Sequence, residues 1–238
     1  MRTIFLWVYF VLYMLVSLLL RLRLAFIKKY GTKEQAEKFV HNFASNCTKS
    51  VIRKSGVKVN IVGLENLPSE ACLFVPNHQG LFDLLILIGY INRPIGFIAK
   101  KETNKIPIIS GWMKQMHCVF IDRKNIREGL KAINKGVENL KEGHSMVIFP
   151  EGTRSRSSNI GEFKKGSMRL AIKSQCPIVP ITIDGTYKIF EANHGIIAPG
   201  IVSVIINKPI YAEKFNEEEQ GNLSNLVRNI IKENLPQS

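Results

Sequence analysis

The chain has 238 residues, 45% hydrophobic and 22% charged, enough for one medium α/β domain with a buried core and a small appendage. That balance excludes wholesale disorder. Its net charge of +14 calls for an anionic partner: nucleic acid, phosphorylated small molecules or an anionic membrane surface. The four cysteines, Cys47, Cys72, Cys118 and Cys176, lie far apart and form no C-x-x-C pair. They read as reduced, mostly buried thiols, not as a disulfide framework or a metal site.

Thr3 to Leu20 carries no charge. As a helix this run covers about 27 Å, close to the ~30 Å hydrocarbon core of a bilayer. Arg21-Leu22-Arg23 follows where a cleaved signal peptide would end in small residues. Residues 21–60 hold ten Lys/Arg against Glu34 and Glu37, which is +8 of the +14. By the positive-inside rule this cluster places the C-terminal bulk in the cytoplasm. Length is compatible both with a helix that spans the bilayer and with a hairpin held in one leaflet. Ala36, Phe39, Val40, Phe43, Ala44, Cys47 and Val51 recur at three- and four-residue spacing among basic residues, the pattern of an amphipathic helix at an anionic surface. Residues 1–54 are therefore predicted to be membrane-associated helices, and 55–238 a separate α/β domain.

In that domain Val57–Val62 alternates like a strand, and Ala71–Val75 is a short apolar strand closed by Pro76. A helix over Leu84–Ile91 and strands over Ile95–Ala99 and Cys118–Ile121 follow. Asn125–Lys141 carries a helical stripe of Ile126, Leu130, Ile133, Val137 and Leu140. Ser145–Phe149 reads as a strand, Ser167–Ser174 as a helix, Ile178–Ile183 and Ile201–Ile206 as strands, and the tail from Glu217 as a helix. Strands alternating with helices predict a mixed, largely parallel sheet flanked by helices.

Asn77-His78-Gln79-Gly80-Leu81-Phe82-Asp83 sets a histidine five residues before an aspartate. On one helix such positions diverge by about 140°, and on one strand they lie ~16 Å apart on opposite faces. The two meet only where the chain turns. Pro76 ends a strand, Gly80 permits a turn, and Asp83 opens a helix, at the strand-to-helix edge where α/β sheets place their chemistry. His78 is thus a candidate general base, with Asp83 orienting the ring. His117 and Asp122 have the same spacing but flank the strand Val-Phe-Ile, and are predicted to be separated and inert. There is no G-x-S-x-G elbow and no activated cysteine, so His78 is expected to deprotonate a substrate hydroxyl directly.

Three loops after strands carry cations: Lys100-Lys101-Glu102, Asp122-Arg123, and Pro150-Glu151-Gly152-Thr153-Arg154-Ser155. Arg123 and Arg154 can fork a phosphate, and Gly152 allows close backbone approach. Glu151 is unexpected there. It either braces an arginine or accepts a bond from a substrate hydroxyl.

From about Val57 to Ile210 the chain resembles the glycerolipid acyltransferase family, and most closely its bacterial 1-acyl-glycerol-3-phosphate branch. The blocks that carry the resemblance stand in order: Asn-His-x-x-x-x-Asp at 77–83, Phe-Ile-Asp-Arg at 120–123, Phe-Pro-Glu-Gly-Thr-Arg-Ser at 149–155 and Val-Pro-Ile at 179–181. One departure is Gln79-Gly80, where many members end the pair in Ser. The resemblance implies transfer of an acyl group from acyl-coenzyme A or acyl carrier protein to lysophosphatidic acid, giving phosphatidic acid. There would be no covalent acyl-enzyme, no cofactor and no metal. His78 would be the base and Asp83 its partner. Arg123, with Glu151, Gly152, Thr153 and Arg154, would hold the acceptor phosphate, and Lys101 would be a further contact. It also implies a two-helix membrane motif and a place on the cytoplasmic side of the inner membrane. A sibling enzyme acting on glycerol 3-phosphate or another lysolipid would carry the same blocks. A non-enzymatic basic protein bound to membrane or nucleic acid would leave the 77–83 turn without a purpose, and no nucleic-acid motif supports it. An esterase would leave the cationic loops idle.

Overall fold

The computed structural model describes residues 1–236, apart from the side chain of Ile126. Helices α1 (Arg2–Tyr30) and α2 (Lys33–Ser55) form an N-terminal hairpin. The domain that follows runs β1 (Val57–Val62), β2 (Leu73–Pro76), α3 (Phe82–Tyr90), β3 (Gly96–Lys100), α4 (Pro107–Gln115), β4 (Val119–Ile121) and α5 (Ile126–Lys141). It continues with β5 (Met146–Val147), α6 (Arg169–Ser174), β6 (Ile178–Asp184), β7 (Gly200–Ile206) and α7 (Glu217–Glu233).

The seven strands lie in the order β1-β7-β6-β2-β5-β3-β4. Every pair is parallel except β6 with β7. Central strands covered on both faces read as continuous apolar runs, and β2 and β6 do: Leu73–Val75 and Ile178–Ile183 are fully buried. On one face Phe74, Phe82, Ile86, Leu87 and Ile181 pack with Ile52 of α2. On the other, Met146, Leu170, Ile178, Val227 and Ile231 form a second layer under α5, α6 and α7.

Gly31 ends α1, and the next helix starts at once because Thr32 and Gln35 close a reciprocal capping box. α1 runs beyond the uncharged segment and through Arg21, Arg23 and Lys28. Leu24 and Ile27 continue its inward stripe there, against Ala36, Val40 and Phe43 of α2. α4 was not predicted. Its sequence, Pro-Ile-Ile-Ser-Gly-Trp-Met-Lys-Gln, has weak helical propensity. Tertiary packing holds it: Trp112 stacks on Phe43 at 4.0 Å and donates to Ser17 Oγ at 2.9 Å.

By length and composition α1 can cross a membrane. It is also fastened to the domain near both ends and to α2 between them. The Ile197 N–H donates to Thr3 Oγ1 at 2.8 Å, Tyr9 bonds Ser50 at 2.7 Å, and Lys28 donates to Gln115 of α4. Its outer face, including Ile4, Phe5, Trp7, Val11, Leu15 and Leu19, is exposed. Soluble proteins rarely leave so much contiguous apolar surface open.

Candidate active site

β2, β5, β3 and β4 are neighbouring parallel strands, so their C-terminal ends share one edge of the sheet. The segments that follow them hold, in that order, His78 and Asp83, residues 149–156, Lys101, and Arg123. The topology brings all four predicted segments to one place.

His78 sits in the turn between β2 and α3, and Asp83 in the first turn of α3. His78 Nδ1 lies 2.7 Å from Asp83 Oδ2, with Asp83 fully buried and the His78 side chain 14% exposed. The same Oδ2 accepts the Gly80 N–H at 2.9 Å, and Oδ1 accepts the Thr186 hydroxyl at 2.5 Å. The Gly80 and Thr186 donors hold the carboxylate against Nδ1, an arrangement that favours the tautomer with hydrogen on Nδ1 and the lone pair on Nε2. The ring stacks on Phe149 at 3.9 Å between centroids. His117 and Asp122 are apart, as expected: Asp122 pairs with Lys101, and His117 turns toward Glu37 and His144.

Buried amides flank the dyad. Asn77 gives Nδ2 to the Ile183 carbonyl at 2.9 Å and accepts the Ile183 N–H at 2.8 Å. Gln79 accepts the Gly185 N–H at 2.9 Å. These bonds extend the β2–β6 pairing past Pro76, where no further strand exists to hold the turn. Gly80 serves space, not backbone angle. A Cβ there would lie 2.5 Å from Glu191 Oε2.

Glu151 pairs with no arginine among the described residues. Its Oε1 accepts the His78 N–H at 2.6 Å and its Oε2 the Gly161 N–H at 2.9 Å. Burial pushes its pKa up, and those two N–H bonds pull part of the way back. The loop it anchors lies along the dyad turn, with the Ser155 N–H on the His78 carbonyl at 2.8 Å and the Arg156 N–H on the Gln79 carbonyl at 3.1 Å. Gly152 takes φ +74°, and Arg123 donates to its carbonyl. Thr153 is exposed, and Arg154 Nη1 pairs with Glu191 Oε1 at 2.9 Å. Lys101 Nζ lies 2.5 Å from Asp122 Oδ2, a bond that lowers the carboxyl pKa and raises the ammonium pKa.

A model of the acyltransferase family, described simply as Acyltransferase, matches residues 58–184. The chain belongs to that family. It is 37% identical over 188 residues to a probable 1-acyl-sn-glycerol-3-phosphate acyltransferase of Mycoplasma genitalium, covering 74% of this chain and 70% of that one. It is 39% identical over 177 residues to the chloroplastic 1-acyl-sn-glycerol-3-phosphate acyltransferase BAT2 of Brassica napus, covering 73% of this chain and 51% of the other. It thus spans about half the length of the plant relatives it matches. The crystal structure of the 1-acyl-sn-glycerophosphate acyltransferase PlsC from Thermotoga maritima superposes with a TM-score of 0.82 at 28% identity, over 98% of this chain and 96% of that one.

Within this acyltransferase, sequence reasoning missed three side chains at the site. Thr186 and Glu191 follow β6, more than 100 residues from the turn they bind. Glu191 also accepts the Leu81 N–H at 2.8 Å. Lys164 stands over Gly152, its Nζ 2.9 Å from where a Cβ would be. The basic pair Lys164-Lys165 was its only local signal. Beside Phe149 opens a cavity of about 240 Å3 lined by Ile98, Ile121, Leu130 and Ile133, with Arg123 and Lys164 among its polar residues.

Proposed function

We propose that this chain transfers a fatty acyl group from acyl-coenzyme A or acyl carrier protein to the free hydroxyl of 1-acyl-glycerol 3-phosphate, giving phosphatidic acid. The observation that carries the reading is the His78–Asp83 contact at 2.7 Å, set beside cationic loops on one sheet edge. His78 Nε2 takes the hydroxyl proton as the oxygen attacks the thioester carbonyl. The tetrahedral intermediate expels thiolate, which recovers the proton from His78, so an ester and a thiol leave with no covalent enzyme species. Asp83 orients the imidazole and stabilises the imidazolium. Arg123 and Lys164 beside Gly152, with Arg154 oriented by Glu191, supply the charge for the acceptor phosphate, and Lys101, held by Asp122 at the same sheet edge, is a further cation. The apolar side of the cavity beside Phe149, formed by Ile98, Ile121, Leu130 and Ile133, suits part of a fatty chain, and its cationic side faces the phosphate. No cofactor is required beyond the thioester co-substrate.

The acceptor is a membrane lipid, and the N-terminal hairpin supplies the contact with its bilayer. α1 is tied to the domain near both ends, so it lies flat, its exposed apolar face sunk into one leaflet of the inner membrane on the cytoplasmic side. The basic residues of α1 and α2 face anionic headgroups.

The experiment is a panel of lyso-acceptors and glycerol 3-phosphate, crossed with both thioester carriers, in vesicles. Lysophosphatidic acid is expected to be the best acceptor, and His78→Ala to lower kcat by about 10³-fold or more with the fold intact. A clear preference for glycerol 3-phosphate or a neutral lysolipid would reassign the acceptor. Retained activity in His78→Ala would remove the base.

A further inference from the structure

Three side chains meet at the edge of the sheet opposite the dyad. Glu37 comes from α2, His117 from the corner between α4 and β4, and His144 from the turn between α5 and β5. β4 and β5 lie in the same parallel set as β2. Residues that precede them therefore occupy the N-terminal edge, whereas the dyad follows β2 at the C-terminal edge.

One donor atom from each of the three falls within 4.8 Å of the other two. Glu37 Oε1 is 3.8 Å from His117 Nε2 and 4.0 Å from His144 Nδ1. The His144 side chain is only 9% exposed. Its Nε2, and Glu37 Oε1, are buried with no hydrogen-bond partner among the described residues. A buried carboxylate oxygen without a partner is rare in a folded protein, so Glu37 Oε1, facing His117 Nε2 and His144 Nδ1, marks a position suited to a cation. The three border a cavity of about 260 Å3, which His41, one helical turn on from Glu37, also lines.

We propose that Glu37, His117 and His144 bind one divalent transition-metal ion of the zinc class, and that the ion fastens the N-terminal hairpin to the sheet. Two imidazole nitrogens and a carboxylate oxygen are a donor set that zinc accepts, with a fourth position left for water. Zinc bonds of about 2.0–2.2 Å need tetrahedral donors roughly 3.3–3.5 Å apart. The observed 3.8 and 4.0 Å therefore close by half an ångström or so. The two rings stack 3.7 Å apart at 14°, and to converge on an ion they must fan apart, a side-chain rotation. Lys33 Nζ lies 3.8 Å from the same Glu37 oxygen, but its side chain is 70% exposed and free to swing out. Glu142, 4.0 Å from His144 Nε2, adds negative charge beside the ion. Each donor comes from a different element, so the ion would join three parts of the chain, two of which already share the bond from Asn139 Nδ2 to the His117 carbonyl.

The full chain, purified in detergent and stripped with chelator, is titrated with Co2+ and then Zn2+. One equivalent of Co2+ is expected to bind with the intense visible absorption of a low-coordinate site, and Zn2+ to displace it. Glu37→Gln, His117→Ala and His144→Ala should each weaken binding by at least about tenfold, and His78→Ala should leave it unchanged. Zn2+ should slow hydrogen exchange in α2 of the parent chain and not in the His117→Ala/His144→Ala double variant. If an alanine variant fails to fold, His144→Gln keeps the bulk and carries the same comparison. No cobalt bound, or stoichiometric binding that survives in the folded double variant, would overturn the site. Acyl transfer reports separately on the dyad, so loss of one reading leaves the other standing.

Discussion

Arg154 reaches back across the dyad turn to Glu191, Nη1 to Oε1 at 2.9 Å. That oxygen also accepts the Leu81 N–H, and the Glu191 carboxylate is nearly sealed from solvent. One buried anion thus orients the arginine proposed to meet the acceptor phosphate and holds the backbone between His78 and Asp83. Glu191→Gln keeps the shape and loses the charge. It is expected to raise KM for the lyso-acceptor by about fivefold, with a smaller fall in kcat, because a half-exposed pair contributes on the order of 1 kcal/mol. Glu191→Ala, which also orphans the Leu81 N–H, should lower Tm as well. Steady-state kinetics with the acceptor varied decide this, and an unchanged acceptor KM in both variants would remove Glu191 from the site.

Gly80 offers a sharper probe of the turn. An added methyl would land 2.5 Å from Glu191 Oε2 in a buried setting where neither side can easily yield. Gly80→Ala should therefore displace the dyad slightly without unfolding the chain. A misplacement near 1 Å lowers kcat by about 10²-fold. A Gly80→Ala/Glu191→Ala pair should recover part of that loss. Full activity in Gly80→Ala alone would show that the turn is softer than its contacts imply.

How much of this was legible in the sequence follows from how local each signal is. The His78–Asp83 meeting was readable because Pro76, Gly80 and the start of α3 lie within eight residues of one another. Glu191 and Thr186 were not, since nothing near residue 186 or 191 announces a partner a hundred residues upstream. The backbone partners of Glu151 were hidden for a similar reason: its sequence neighbours are loop residues, whereas its bonds go to the N–H groups of His78 and Gly161. α4 was hidden by a proline, a glycine and two β-branched residues whose helix exists only against Trp112's neighbours. Leu130, in the helical stripe of α5, is 46% exposed and lines the cavity beside Phe149. The side chain of Ile126, first in that stripe, lies outside the described structure. His117 is indeed separate from Asp122, but five-residue spacing could not show Glu37 and His144 beside it.

The Phe149 cavity predicts a change in chain-length preference. Ile133 lines it and is only half-buried, so Ile133→Phe fills space without disturbing the sealed core. The variant is expected to favour shorter acyl donors, with kcat/KM for the longest chain falling about tenfold relative to the shortest. Competition between acyl-coenzyme A donors of graded length measures it, and an unchanged ratio would place the chain elsewhere.

The cysteines should be chemically quiet. Burial pushes Cys47, Cys72 and Cys118 up to about 12, and it raises Cys176 as well. A thiol at about 12 is thiolate in only about one molecule in 10⁴ at pH 8, since each pH unit below the pKa costs tenfold. Because the raised pKa favours the neutral form, labelling by a thiolate-selective alkylator should rise about tenfold per pH unit up to the onset of unfolding. Mass spectrometry should count near zero labels at pH 7.5 in the native protein and four after denaturation. A single fast native label would reveal an activated cysteine and reopen a covalent mechanism.

The fastening of α1 near both ends bears on what kind of membrane the enzyme can notice. A helix that threads a bilayer feels its thickness, because mismatch must be absorbed by tilt or by deformed lipid. A helix laid flat against its own domain feels only the nearer leaflet: its headgroup charge, its packing and the lateral supply of lysolipid. On the proposed flat orientation, product would stay in the same monolayer as its precursor. Such an enzyme would enlarge one side of the membrane as it works and leave the other side to be filled by lipids that cross over.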